Sequence, residues 1–278
     1  QIVGFLGPNG AGKTTTLHLV LGLTRPTSGS IQVLGHDATK AGNAVRHKIG
    51  YLPDVPGFPA WMTAPEFLRF AGSLFGIDKA TLDSRVDSLL ELAGLTGVNH
   101  KIGGFSRGMK QWLGATQALV NAPKLLMLDE PTSALDPLGR KDVLTMIEAL
   151  RGKATVLFST HLLDDVERIC DSAVVLNQGH VLATGTITQL RSRYDGAQKM
   201  RLVTDGDTAH VSALLEDEAW VGDVTIGGDA VVFAADNADR VGKALLGFLA
   251  SASLTLREYG PALFTLEDAF VLLTEEDR

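Results

Sequence analysis

Between the apolar run IVGFL (Ile2 to Leu6) and the helix-patterned run TTTLHLVLGL (Thr14 to Leu23) the chain carries GPNGAGK, three glycines in seven residues ending on a lysine. Glycine lets the backbone curl until successive N–H groups point inward, and a helix that starts at once aims the positive end of its dipole at the same spot. The stretch matches G-x-x-x-x-G-K-[ST] with a strand before it and a helix after it, the setting in which such a loop cradles phosphate. Gly7, Pro8, Asn9, Gly10, Ala11, Gly12, Lys13, Thr14 and Thr15 are the expected cradle. Lys13 supplies a point charge for terminal phosphates, Thr14 offers a hydroxyl to magnesium (Mg2+), and Thr15 is placed to reach a phosphate oxygen. A loop of this kind rests on a buried strand, so it commits the first part of the chain to a wound α/β layer.

The rest of the first two-thirds keeps that pattern. Short apolar runs expected as strands are Ile2 to Leu6, Ile31 to Leu34, Ile49 to Leu52, Lys124 to Leu128, Thr155 to Phe158 and Ala173 to Leu176, alternating with amphipathic helices. Thr63 to Ala122 interrupts them, because PEFLRFAGSLFGI and LDSRVDSLLELAGL repeat apolar residues at helical spacing. A composition shift near Tyr194 to Lys199 (RYDGAQK) divides the chain into residues 1–195, with the helical subdomain at about 63–122, and residues 196–278. The second part reads MRLVT as strand, HVSALLEDE as helix, VGDVTI and AVVFA as a hairpin, DRVGKALLGFLAS as helix and LTLREY as strand. That order, β-α-β-β-α-β, is the split arrangement of ferredoxin-like folds, and a further helix is expected from Leu266 to Thr274.

Charge and cysteine usage narrow the setting. A formal net charge of −7 argues against a broad nucleic-acid footprint. No run approaches the roughly 18 apolar residues that a membrane span needs. Cys170, the single cysteine, sits among apolar neighbours in a stretch read as helix. It is read as a small buried hydrophobe in a reducing compartment, with no chemical role.

Downstream, KLLMLDEP is an apolar strand ending in two adjacent carboxylates. Asp129 is expected to hold Mg2+ through water, and Glu130 to face the attacking water as general base or water-orienting group. Cradle, metal ligand and positioned nucleophile make up the working parts of phosphoryl transfer.

GFSRGMKQWLGATQALVNAPKLLMLDEPTSALDP, followed by FSTHLLDDVERICD, resembles the nucleotide-binding subunit of ATP-binding cassette (ABC) transporters, and the resemblance runs from Ile2 to about Leu190. It implies an α/β P-loop NTPase core with a helical insert, ATP and Mg2+ as cofactors, and two copies paired head to tail as a homodimer when ATP binds. FSRGM stands where the family carries LSGGQ: Ser106 and Gly108 are kept, for a γ-phosphate held from across the dimer, and Phe105, Arg107 and Met109 depart. The Arg107 version resembles the exporter branch with separate six-helix membrane subunits. SALD, ending at Asp136, resembles the loop through which one site senses the other, and His161 matches the switch histidine on the γ-phosphate. Asp54 in YLPDVPGF occupies the place of a glutamine and still offers oxygen to Mg2+. Phe58 and Trp61 lie where an integral-membrane permease subunit would dock, and the pair reads equally well as core packing.

The family stacks an aromatic ring on adenine well upstream of the loop lysine, and only twelve residues precede Lys13, so that platform is expected to lie on strands before Gln1. The closing LFTLEDAFVLLTEE resembles the end of exporter-type cassettes. The expected role is therefore the ATP-hydrolysing subunit of an exporter of drugs, antibiotics, lipids or polysaccharides, at the cytoplasmic face of the cell membrane and without nucleic acid. The alternative is a soluble cassette ATPase acting on ribosomes or DNA, which usually carries two cassettes or a long coiled-coil insert.

Overall fold

The computed structural model describes residues 1–40, 43–133, 135–192, 198–235, 238–262, 266–267, 269–270 and 273. These residues form two compact units, divided between Ile187 and Thr188. The boundary expected at 195 falls on residues outside the described ones, as does part of the helix expected from Leu266 to Thr274, of which 266–267, 269–270 and 273 are helical.

In the first unit, β1 (Ile2–Leu6), α1 (Lys13–Val20), β2 (Gln32–Val33), β3 (His36–Asp37), α2 (Asn43–Arg46) and β4 (Ile49–Leu52) lead into the helical insert. The insert holds α3 (Ala64–Ser73), α4 (Lys79–Leu92) and α5 (Arg107–Leu119). The chain then returns through β5 (Leu125–Asp129), α6 (Pro137–Ala149), β6 (Thr155–Thr160), α7 (Leu163–Ile169), β7 (Ser172–Asn177) and β8 (His180–Thr186). Six of the strands make one sheet in the order β4-β5-β6-β1-β7-β8, parallel except for the last pair. Strands covered on both faces read as unbroken apolar runs, and Leu126, Met127 and Leu128 are fully buried, each contributing about 1.5–3 kcal/mol of transfer free energy.

Register places the chemistry. Leu6 lies opposite Thr160, and Asp129 opposite Ser159, so β1, β5 and β6 end together. The residues that follow them, Gly7, Glu130 and His161, therefore emerge side by side at the carboxyl edge, where open α/β sheets bind ligands.

Two strand expectations change. The run from Ile31 yields only β2, which pairs with β3 in a separate small ladder rather than joining the main sheet. The edge strand β8 was not anticipated: its polar and glycine-containing sequence HVLATGT lacks the apolar density of the buried strands. Cys170 lies just beyond α7 in extended backbone, not in a helix; burial pushes its thiol up to about 12, which suits an inert core residue.

The insert is started by a reciprocal cap. Thr63 accepts from the Glu66 N–H while Glu66 accepts from the Thr63 N–H at 2.7 Å, and Leu68, Val86 and Leu113 close its own core.

The second unit begins with α8 (Ile187–Ser192), whose first residue closes the first unit, and continues through β9 (Gln198–Thr204), α9 (Thr208–Glu216), β10 (Val224–Gly227), β11 (Ala230–Ala235), α10 (Ala238–Ser251) and β12 (Leu256–Pro261). Its antiparallel sheet runs β10-β11-β9-β12, so β11 separates β9 from β10, the split β-α-β arrangement read from the sequence. Phe233, Leu215 and Phe248 fill this core, with Trp220 edge-on to both aromatic rings.

Candidate active site

β1 delivers the chain into the loop at Gly7, where a Cβ would collide with the Leu176 carbonyl of β7, so the loop is held against the sheet. Gly12, at φ 99°, takes the left-handed turn that starts α1 and leaves its first amides without a side-chain cap. No acidic residue occupies the first turn of α1 to compete for those amides. Lys13 is only 7 % exposed and folds back over the loop, its Nζ donating to the Gly7 carbonyl at 2.8 Å and the Pro8 carbonyl at 3.3 Å. Among the described residues that geometry stores the charge beside the cradle.

At the end of β5, Asp129 is 1 % exposed and its Oδ2 accepts from the Thr14 hydroxyl at 2.7 Å. Its Oδ1 is buried without a hydrogen-bond partner among the described residues. An orphaned carboxylate oxygen is costly unless a ligand completes it. With Thr14 Oγ1 beside it, the pair presents the hard oxygens that Mg2+ takes, so these residues fit the ion. Tyr51, on β4, registers the local charge: burial, and then the Asp129 and Asp54 carboxylates, push its phenol up to about 12.

Glu130 follows at φ 47°, a left-handed backbone that costs a non-glycine residue about 1–3 kcal/mol. Its N–H donates to the Ser159 carbonyl at 2.9 Å, and the side chain is held at both oxygens: Oε1 lies 3.6 Å from Lys13 Nζ and Oε2 2.9 Å from His161 Nδ1. A cavity of about 260 Å³ is walled by Pro8 to Thr15 with Asp54, Asp129 and Glu130. Asp54 accepts from the Ser133 hydroxyl at 3.1 Å, and that hydroxyl also lies 3.0 Å from the Glu130 carbonyl. A wider groove, about 450 Å³ around Trp112 and Met146, contains none of these phosphate-directed groups.

Ser106, Gly108 and Asp136 stand apart from that cavity. Ser106 caps α5 by accepting from the Met109 N–H at 3.2 Å, and Asp136 caps α6 by accepting from the Gly139 N–H at 2.9 Å. The two expected docking aromatics also separate: the Phe58 ring meets Phe67 edge-on at 5.1 Å and joins the insert core, whereas Trp61 is 73 % exposed.

Similarity to known proteins sharpens the meaning of this geometry. The family model "ABC transporter" matches residues 1–133. An uncharacterized ABC transporter ATP-binding protein, YxlF of Bacillus subtilis strain 168, is 40% identical across 98% of this chain and 89% of its own length. The chain belongs to the ABC transporter family. Nod factor export ATP-binding protein I of Rhizobium meliloti strain 1021 is 35% identical over 99% of the chain and 80% of its own length. A solved ATP-binding subunit of an ABC transporter covers 70% of the chain and 82% of itself at 34% identity, with a TM-score of 0.65. The cassette is thus an ATP-binding, ATP-hydrolysing subunit, and no helix among its described residues is long and apolar enough to cross a membrane.

One support of the cassette's site escaped sequence reasoning. The Gly179 N–H, in the turn between β7 and β8, donates to the Ala11 carbonyl at 2.9 Å and braces the phosphate loop from outside. The glycine of NQGH between two extended runs is the only signal that a hairpin turns there.

Proposed function

We propose that this subunit drives export by closing, head to tail with a second copy, on two ATP molecules, and that a polytopic permease at the cytoplasmic face of the membrane receives the motion. What carries the reading is Glu130, set by its left-handed backbone at the mouth of the phosphate cavity and held between Lys13 and His161. Glu130 accepts the proton of the attacking water as its oxygen bonds to the γ-phosphorus and the bond to the ADP oxygen breaks. Lys13, released from the loop carbonyls, follows the charge on the phosphates. His161 holds Glu130 in place and, on the loop after β6, reports the γ-phosphate. Thr14 and Asp129 would hold Mg2+, with Asp54 facing the same cavity; the ion supplies neutralisation of the phosphate oxygens when bound.

Ser106 and Asp136, exposed, and Gly108, half-buried, all outside the cavity, are the surface offered to the partner cassette's ATP. Leu74 of the insert, at 66 % exposure, and Val55 and Trp61 of the loop before it, at 74 % and 73 %, are the apolar contacts that a permease helix would cover. Export, rather than uptake, follows the name of the Nod factor relative and the Arg107 form of FSRGM.

The test is purification of the tagged full-length protein from native membranes in mild detergent. A copurifying polytopic subunit, with ATPase activity lost in Glu130→Gln, is the expected result. Recovery only from the soluble fraction with ribosomes or nucleic acid would overturn the transport reading.

A further inference from the structure

The geometry points to Asp165 as a positioning residue that holds the Glu130 turn in its catalytic conformation and ties it to the start of α6; this rests on Glu130 acting as the base. Asp165 lies on α7, four residues after His161, with a side chain only 3 % exposed. Both carboxylate oxygens are engaged: Oδ2 accepts from the Thr132 hydroxyl at 3.0 Å, and Oδ1 from Arg140 Nε at 2.8 Å. A buried carboxylate with an ion-pair partner and a second donor is satisfied, whereas removing either donor leaves charge in a poor solvent.

The position of Thr132 gives that network a function. Glu130 sits in a strained left-handed conformation, and such strain persists only where neighbours on both sides over-determine it. On the upstream side, the Glu130 N–H is fixed to the Ser159 carbonyl. Downstream, Gln111 Nε2 reaches the Pro131 carbonyl at 3.3 Å, and Thr132 is pinned by Asp165. Two hydrogen bonds, His161 to Glu130 and Thr132 to Asp165, therefore close a ring from the segments 130–132 and 161–165. Neither segment can shift without the other. Arg140 extends the restraint to α6, whose N-cap is Asp136, so the capped start that faces the partner cassette and the base share one rigid support.

The network predicts a selective defect. Thr132→Val keeps the side-chain shape and deletes the hydroxyl that Asp165 holds. In the full-length protein it lowers kcat for ATP by about tenfold to hundredfold, the scale on which small misplacements act, while KM for ATP and affinity for ADP move by less than about threefold. Thr132→Ser, which retains the hydroxyl, restores kcat to within about twofold of wild type. Asp165→Ala, which removes the acceptors for both Thr132 and Arg140, gives the same split and serves if Thr132→Val does not fold. A folded Thr132→Val with wild-type kcat, or one whose KM rises while kcat holds, would overturn the assignment, as would a Thr132→Ser as slow as Thr132→Val. Glu130→Gln measured alongside separates the two levels. If it is inactive while Thr132→Val turns over normally, only the role of Asp165 falls. If Glu130→Gln turns over normally, the reading of Glu130 falls and takes this one with it.

Discussion

The phosphate-loop region and the FSRGM region carry equally recognisable motifs, yet the structure treats them differently. Around the loop, side chains from α1, β5 and the loop after β6 converge: Thr14 on Asp129, Lys13 on Glu130, Glu130 on His161. Around FSRGM no comparable polar cluster forms among the described residues; Phe105 packs into the insert core, Ser106 and Arg107 are exposed, and the hydroxyl of Ser106 is spent on its own helix. The first region is finished by the chain's own folding. In the proposed dimer the second is a prepared surface, with a helix start and a small residue, that acquires its ligand from another copy. Losses in the first region should therefore show in a single subunit's chemistry, and losses in the second only when two subunits meet.

The largest expected effect lies in the converged region. Glu130→Gln keeps the size and the left-handed turn but cannot accept a proton, and turnover should fall by about a hundredfold or more, with ATP binding retained. His161→Ala removes the donor that holds Oε2 and should nearly abolish steady-state hydrolysis as well. Radioactive phosphate release at saturating ATP measures both. Normal turnover in either variant would break the claim that this region is chemically complete.

A smaller, more selective effect is expected at Ser106. Asparagine or aspartate caps a helix as well as serine, so Ser106→Asp should leave the melting temperature of the protein unchanged or slightly raised. Its negative charge should nevertheless repel the γ-phosphate of a second subunit. ATP-dependent dimerisation, followed by light scattering in a Glu130→Gln background, is then lost while nucleotide affinity of the monomer persists. Retained dimerisation would mean that Ser106 is a cap and nothing more, and the contrast between the regions would shrink.

How much of this was legible beforehand follows the range of each interaction. The loop from Gly7 to Thr15 is local: glycine spacing and the flanking runs state its conformation, and Gly12 starts α1 from left-handed backbone. Asp129 and Glu130 are legible because a strand's end is legible. Asp165 was not, since nothing in LLDDVERI separates the buried Asp165 from the exposed Asp164 beside it. That difference is made by Thr132 and Arg140, which are 33 and 25 residues away in sequence. Gly179 and β8 escaped for the same reason, because an edge strand paired on one side needs no apolar run. Phe58 and Trp61 looked alike in sequence and part only when Phe67 arrives beneath one of them. In the second unit the alternation of strands and helices was enough to give element order, but its purpose has no motif to announce it.

The smallest effect is expected at Arg107, and it sharpens the comparison most finely. Arg107 is the first residue of α5, exposed, next to the cap at Ser106. A cation at a helix N-terminus opposes the dipole, by about 0.3–1 kcal/mol at the surface. Glycine there relieves that repulsion but adds backbone freedom in the unfolded chain, about 0.5–1 kcal/mol relative to alanine in a helix interior and less at its first position. The two terms offset each other, so Arg107→Gly should move the melting temperature little. If the region is only a surface prepared for a partner's phosphate, to which Ser106 and the free amides of α5 already contribute, ATP affinity and turnover should change by less than about threefold. A tenfold drop in turnover, together with steeper salt sensitivity in the wild type than in the variant, would instead make Arg107 a charge that reaches the phosphate. FSRGM would then bring electrostatic force of its own to the dimer, as Lys13 does within the chain, and the two regions would differ in where their ligand comes from but not in how they hold it.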